Sequence, residues 1–424
     1  MKHFLWSLFC ISLPLSKALS SVCLVLLLLL AAKECFFDKK CPSLQITALN
    51  AAIFFPALLI VLLLVGVVYS QHWYEGLQTV YKQNALLLLP LVFWVHRANI
   101  KRHIPDYICL FSWANVVAGM VTLLFYVLPP EQANDWVNAW QLEPYPLAQD
   151  DKDKYGLYSP FIQRIQFSLL LAIATLQCCW LLKAGKPFYR KNALILLPIL
   201  LLVSLLLGGR GSQIGLFLGL MVWVSNWLWQ SLHPVLNQKT NGKFAKLSVT
   251  LLTVILVTVI PIVLFFAVPQ VSKRYGQMIW EIRHYQENSL QTHKIEDHTS
   301  IRRFISWKET WGLIAENPWF GVGTGDYRFL LQKRYDQAGY HFTQNSHNQF
   351  LHIWASIGIG GFLFFVIGLG YWLHYITQNR SRNTSILATS FLFLLLPPFL
   401  TDATLVTQVG SMGFVWSYLL ILDL

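Results

Sequence analysis

The stretch ITALNAAIFFPALLIVLLLVGVV, residues 46–68, decides the fold. It carries no charged residue. A helix rises about 1.5 Å per residue, so about 20 such residues cross the hydrocarbon core of a bilayer. Comparable Leu-rich runs recur through the 424 residues, of which 55% are hydrophobic and only 12% charged. A soluble domain carries about 25% charged residues. A chain this apolar reads as an all-α, polytopic membrane protein, because helices satisfy their own backbone hydrogen bonds in lipid.

Working outward, apolar runs predict spans at about 4–16, 18–32, 44–69, 84–96, 105–128, 161–182, 192–207, 213–232, 247–268, 348–376, 385–400 and 411–423, about twelve transmembrane helices. The first two and the fourth are short enough to be tilted or partly re-entrant. No soluble-looking stretch is long enough for a second domain, so residues 1–424 read as one membrane domain. Lys2, the apolar run to Leu15 and Ser16 to Ser20 resemble a signal peptide; because another apolar run follows directly, we read a retained first span.

The net charge of +12 raises nucleic acid as a partner, so its distribution matters. The basic residues fall in short loops: Lys33, Lys39 and Lys40; Arg97, Lys101 and Arg102; Lys183, Lys186, Arg190 and Lys191; Lys239, Lys243 and Lys246; Arg380 and Arg382. This is the positive-inside pattern of cytoplasmic loops, and it argues against nucleic acid. With both termini cytoplasmic, every basic loop falls inside. Both long loops then face the periplasm, a smaller one at 129–160 and a large one at 269–345. The seven cysteines all lie outside those loops, so no disulfide framework is implied, and no CxxC pair suggests a metal.

The large loop is not disordered by composition. Tyr275, Met278, Ile282 and Tyr285 recur at helical spacing, as do Phe304, Trp307, Trp311 and Ile314. Both sets predict amphipathic helices with aromatic faces, suited to the interface or to packing on the bundle. The second should end at Asn317-Pro318. GVGTGD, Gly321 to Asp326, follows as a structural turn; no strand precedes it and no Gly-Lys-Ser/Thr completes a P-loop.

Three constellations carry possible chemistry. GGRGSQ, Gly208 to Gln213, interrupts an apolar run, and Arg210 is the only Lys or Arg between Asn192 and Leu236. A charge beside a span is costly. Ser212 is placed to cap the next helix, whose N-terminus with Arg210 suits a phosphate or diphosphate. The alternative is a tight hairpin with a snorkelling arginine. In NSHNQF, Ser346 and Gln349 fit a capping box, which makes His347 the first helical residue. A helix N-terminus disfavours imidazolium and would leave a ring able to accept a proton. Position alone favours a polar interface histidine over a catalyst. His341 and His352 stand at spacings that do not make helix-face metal ligands, and HExxH is absent, so no metal is expected there. Arg274, Arg302 and Arg303 open the two loop helices. Arginine forks bind phosphate oxygens, yet most loop arginines are simply solvated. Glu281, Glu296, Glu309, Asp326 and Asp402 show no spacing that pairs them.

These residues together resemble the O-antigen ligase and polymerase superfamily of bacterial inner-membrane glycosyltransferases. Arg210-Gly211, the R-x-x-x-W helix from Arg303 to Trp307, NPWFGVGTGDY from Asn317 to Tyr327, and SHNQFL…GIGG from Ser346 to Gly361 occur in family order. The resemblance covers about 200–375 and implies a GT-C-like fold, a donor glycan on undecaprenyl diphosphate and no cofactor. In ligases the acceptor is the lipid A core of lipopolysaccharide; in polymerases it is another lipid-linked repeat. Carried over, His347 takes the family's histidine position and Arg210 an essential-arginine position. Arg274 and Arg303 are further candidates for binding the diphosphate, with Arg302, Ser212 and Asn348 in support. The family often has an acid just after the histidine; Gln349 and Phe350 stand here instead. The dominant single outer loop favours ligase over polymerase, since the loop at 129–160 has no arginine. A transporter or flippase would predict charges inside the spans, which are nearly charge-free. A structural partner of an envelope complex would tolerate replacement of His347 and Arg210.

Overall fold

The computed structural model describes residues 1–43, 45, 47–128, 159–207, 209–239, 269–286, 299–340, 342 and 345–424. Among these, every regular element is helical: α1 (Lys2–Ser12), α2 (Lys17–Phe36), α3 (Ala48–Val68), α4 (Trp73–Lys82), α5 (Ala85–Arg102), α6 (Ile104–Val127), α7 (Arg164–Ala184), α8 (Pro187–Leu206), α9 (Arg210–Lys239), α10 (Pro269–Gln286), α11 (Thr299–Glu316), α12 (Asp326–Gln337), α13 (Gln349–Asn379), α14 (Arg382–Thr401), a 3-10 turn (Thr404–Val406) and α15 (Gln408–Asp423).

Among the described residues, seven helices are long and apolar enough to cross a membrane: α2, α3, α6, α7, α8, α13 and α14. They answer seven of the expected spans, and the protein is an all-helical polytopic membrane protein. The described residues do not by themselves reach the expected twelve, for identifiable reasons. At 11 and 16 residues, α1 and α15 fall short of a bilayer's thickness. Arg97, Lys101 and Arg102 charge the second half of α5, while Asn226, Gln230 and three tryptophans dilute α9. The expected span at 247–268 and nearly all of the loop at 129–160 lie outside the described residues.

The chain divides into two compact units. The first is Met1–Tyr107, Gln277–Asn379 and Pro398–Leu424; the second is Ile108–Gly276 and Arg380–Pro397. In the first unit, α3 packs on α5 and α13, and α15 packs on α5. Every residue of α15 from Val409 to Asp423 is buried. Its last acid, Asp423, is closed off by Arg97, whose Nε and Nη2 reach the carboxylate at 3.0 and 2.6 Å. A buried carboxylate needs such a partner. Trp6 of α1 stacks on Trp416, with ring centroids 4.9 Å apart. In the second unit, α7 packs between α8 and α9, and Gly119 of α6 lets Val203 of α8 approach.

The segment of the first unit around α11 and α12 has a core of its own. Ile301, Ile305, Leu313 and Ile314 of α11 are buried with Tyr327, Leu331 and Tyr335 of α12, Phe342 and Ala355. The buried stripe of α11 is therefore its aliphatic one. Phe304 and Trp311 of its aromatic face are 39% and 54% exposed, which fits the interface rather than packing on the bundle.

The span α13 is broken. Ile357 (φ −133°, ψ 18°) and Gly358 (φ 74°) leave helical geometry. The break frees carbonyls that must be satisfied, since no water is available in lipid. The GVGTGD turn does this: Val322 N donates to Ala355 O at 2.8 Å and Gly323 N to Ser356 O at 3.0 Å. In return Ile359 N donates to Pro318 O at 2.9 Å, as does Trp354 Nε1 at 3.1 Å. The other side of the turn is fixed to the end of α3 through Thr324 Oγ1 on Leu63 O and Gly325 N on Ser70 Oγ. Gly321 and Gly323 sit at φ +70° and +97°, the left-handed region that favours glycine. The turn is thus a structural plug in a broken span.

Candidate active site

The site is built where α11 meets the start of α13. The first turn of α11 is capped from α10: Ser300 N donates to the buried Glu281 carboxylate at 3.1 Å. An acid at a helix N-terminus meets unsatisfied amides and the positive end of the dipole. Two turns on, Trp307 is half-buried and donates its indole N–H to the carbonyl of His347 at 3.2 Å. The tryptophan of the R-x-x-x-W helix therefore holds the backbone of the NSHNQF segment.

His347 differs from the capping-box expectation. α13 starts at Gln349, and the cap is Asn348, whose Oδ1 accepts from Phe350 N at 3.0 Å and Leu351 N at 3.1 Å. Ser346 does not cap. Its hydroxyl donates to Asn348 O and accepts from Asn348 N, bracketing His347. His347 consequently sits before the helix at φ +46°, one of two non-glycine residues in the left-handed region among those described. That region costs an L-residue roughly 1–2 kcal/mol, and such strain persists only where surroundings over-determine it. Here Trp307, Ser346 and Asn348 all act on the neighbouring backbone.

The imidazole has a carboxylate partner that its neighbours in sequence do not supply. His347 Nδ1 lies 3.2 Å from Asp402 Oδ1, across 55 residues of chain. Asp402 follows the end of α14, with its own N–H on Pro398 O. The buried Gln349 secures the same segment, its Oε1 accepting from Leu405 N at 2.8 Å. So the residue standing where the family often has an acid instead positions the segment that brings one. Both side chains stay accessible, His347 at 22% and Asp402 at 18%, so the pair can meet a ligand. With Nδ1–H donated to the carboxylate, Nε2 is left as the acceptor.

Arg302 and Arg303 lie in the first turns of α11, in the same unit, and both are partly buried. The Nε of Arg302 is buried without a hydrogen-bond partner among the described residues. Arg210, Ser212 and Arg274 belong to the second unit. Arg210 is the first residue of α9 and half-exposed. Ser212 does not cap that helix: Gly209 already accepts the first helical bond, from Gln213 N at 2.9 Å, which leaves Ser212 buried in the first turn. The polar work at this hairpin is done by Gln213, whose amide donates to the carbonyls of Ser204, Leu205 and Leu207 at the end of α8. Arg274 falls within α10, and its side chain lies outside what is described, as does His341. His352 is buried with its ring edge-on to Tyr327, centroids 4.9 Å apart.

A second histidine–aspartate pair braces the segment that carries the site. Asp326, at the start of α12, accepts from Gln71 N and His72 N at 2.8 Å each and lies 2.6 Å from His72 Nδ1. Burial raises the carboxyl's pKa, but the two amides and the imidazole outweigh it, and the net shift is downward. The ring of His72 stacks on Phe329 at 4.3 Å.

No curated protein matches the chain. Residues 194–366 match the family model described as O-antigen ligase, a stretch that takes in Arg210, both loop helices, the GVGTGD turn and His347. Over this segment the chain is similar to the O-antigen ligases and polymerases.

Proposed function

We propose that the protein is an O-antigen ligase, which transfers a glycan from undecaprenyl diphosphate to the lipid A core of lipopolysaccharide at the periplasmic face of the bacterial inner membrane. The observation that carries this reading is the accessible His347 ring paired with Asp402, in a segment matched to the family. In the proposed reaction, Nε2 of His347 takes the proton of the acceptor hydroxyl as its oxygen attacks the anomeric carbon. The bond from that carbon to the diphosphate oxygen breaks from the opposite face, giving inversion. Undecaprenyl diphosphate leaves with the bonding electrons. Asp402 steadies the ring as it gains charge.

Arg210, Arg274 and Arg303 are proposed to bind the diphosphate and stabilise the charge that develops on it, supported by Arg302. Asn348 supports His347 as the cap of α13. The leaving group is already activated, so neither a metal nor a cofactor is part of the scheme. The GT-C-like architecture and the topology with cytoplasmic termini belong to the same proposal.

One gel of lipopolysaccharide from a deletion strain tests it. A ligase predicts that polymer is still made on its lipid carrier but no longer joined to lipid A core. Short, unpolymerised repeats on the core would instead identify a polymerase. His347→Ala should abolish complementation while the protein remains in the membrane at normal level; full activity would remove the base from the scheme. Arg210→Lys should also fail, because an ammonium cannot fork two oxygens.

A further inference from the structure

His3 in the first turn of α1, His103 at the C-terminal end of α5 and Asp106 in the first turn of α6 converge, with one ligand atom from each lying within 4.8 Å of the others. We propose that these three side chains bind a divalent transition metal ion such as Zn²⁺, which fastens α1 to the joint between α5 and α6. Two imidazoles and one carboxylate form a donor set suited to Zn²⁺ and its first-row neighbours, with the remaining position left for water. Ligand atoms around a tetrahedral zinc stand about 3.4 Å apart, from bond lengths of about 2.0–2.1 Å. His103 Nδ1 and Asp106 Oδ2 are already 3.0 Å apart, so that pair needs little movement. The third ligand has only to swing: the His3 ring stacks on His103 with centroids 4.1 Å apart and an interplanar angle of 30°.

The surroundings favour this use. Tyr107, buried, places its hydroxyl 3.2 Å from His3 Nδ1. A metal-bound histidine normally has such a partner on its other nitrogen, which fixes the ring and leaves Nε2 for the ion. Lys2, the cation next in sequence to His3, is already neutralised by Glu34 at 2.6 Å. Lys101 and Arg102 are exposed, so solvent and salt screen them. A helix as short as α1, 11 residues, gains little stability by itself, and a metal staple supplies what propensity does not.

The test is Zn²⁺ titration of the full-length protein in detergent, purified without a polyhistidine tag and stripped with EDTA. Calorimetry should show a site of one ion per chain. Its affinity should fall by at least about tenfold in His103→Ala and Asp106→Asn, since loss of outer-sphere partners alone costs 10–100-fold. It should be unchanged in His72→Ala, a histidine beside an acid elsewhere. His3→Gln, at a partly exposed first-turn position, removes a ligand without emptying the core; Zn²⁺ should raise the melting temperature of the native protein and not of this variant. Absence of the one-ion site in the native chain, or equal binding and equal melting shifts in His3→Gln, overturns the proposal.

Discussion

Asp402 and His347 are 55 residues apart in sequence, and their side chains meet at 3.2 Å. The contact depends on two fixed backbones. One is the left-handed His347 held through its carbonyl by Trp307. The other is the segment after α14, held by Gln349 through Leu405 N. A long, flexible link between the two would cost conformational entropy each time the pair formed; anchoring both sides removes most of that cost before a ligand arrives.

Asp402→Asn should therefore be severe for a side chain that need not touch the glycan. The amide keeps the volume but loses the charge that selects the Nδ1–H tautomer and stabilises the ring once protonated. Transfer in membranes should fall by roughly two to four orders of magnitude, with membrane level and melting temperature close to native. Asp402→Glu should retain part of the activity, because the charge remains and only its reach changes. Activity of Asp402→Asn within a few-fold of native would show that the pair is structural.

Trp307→Phe separates holding the backbone from filling space. The ring stays on α11 against Phe304, now 5.3 Å away edge-on, but the carbonyl of His347 loses its donor. Stability should drop by about 1 kcal/mol, the usual worth of one such bond. Activity should fall further, by about tenfold to a hundredfold, because small misplacement of a reacting group is amplified in rate. The comparison to make is the melting shift against the turnover loss in one preparation. A turnover loss no larger than the melting shift accounts for would remove the positioning role.

Much of this architecture is legible in the chain, for a physical reason. Runs such as 46–68 announce a span because lipid demands a long uncharged helix. Glycines 321 and 323 announce a turn because few other residues tolerate positive φ. What is not legible depends on contacts distant in sequence. Nothing local to His347 points to Asp402. The S-x-x-Q pattern matches a capping box at Ser346, yet Asn is an equally good cap, and Asn348 wins because Gln349 is drawn to Leu405. Ser212 loses its expected role in the same way, since the hairpin is already closed by Gly209 and Gln213. The break in α13 hides inside GIGG, which reads as ordinary small residues until the GVGTGD turn is seen to fill it.

The His72–Asp326 brace predicts how stability responds to acid. The folded pKa of Asp326 lies below the ordinary carboxylate value. A depressed carboxyl stabilises the fold above its unfolded pKa, and that contribution is lost as pH falls through the folded value. The melting temperature in detergent should thus decline below about pH 4 by an amount that Asp326→Asn lacks, while Asp326→Asn should be less stable than native at pH 7. Parallel native and Asp326→Asn curves from pH 7 to pH 3 would contradict the assignment.

Gly358→Ala tests whether the broken span and its plug form one unit. The residue sits at φ +74°, and an added Cβ would run into the Trp319 carbonyl and the Phe320 backbone. The left-handed backbone alone costs about 1–2 kcal/mol for a residue with a side chain, and the collision adds to it. Backbone cannot yield as a flexible side chain would, so the turn must shift, and the amides of Val322 and Gly323 lose their carbonyls at Ala355 and Ser356. The expected outcome is a loss of about 2 kcal/mol or more, with protease sensitivity appearing near Gly321. Gly360→Ala is the control: its Cβ meets nothing within 4 Å, and alanine is the better helix former, so stability should hold or rise. Equal melting temperatures for the two variants would mean that the plug does not support α13.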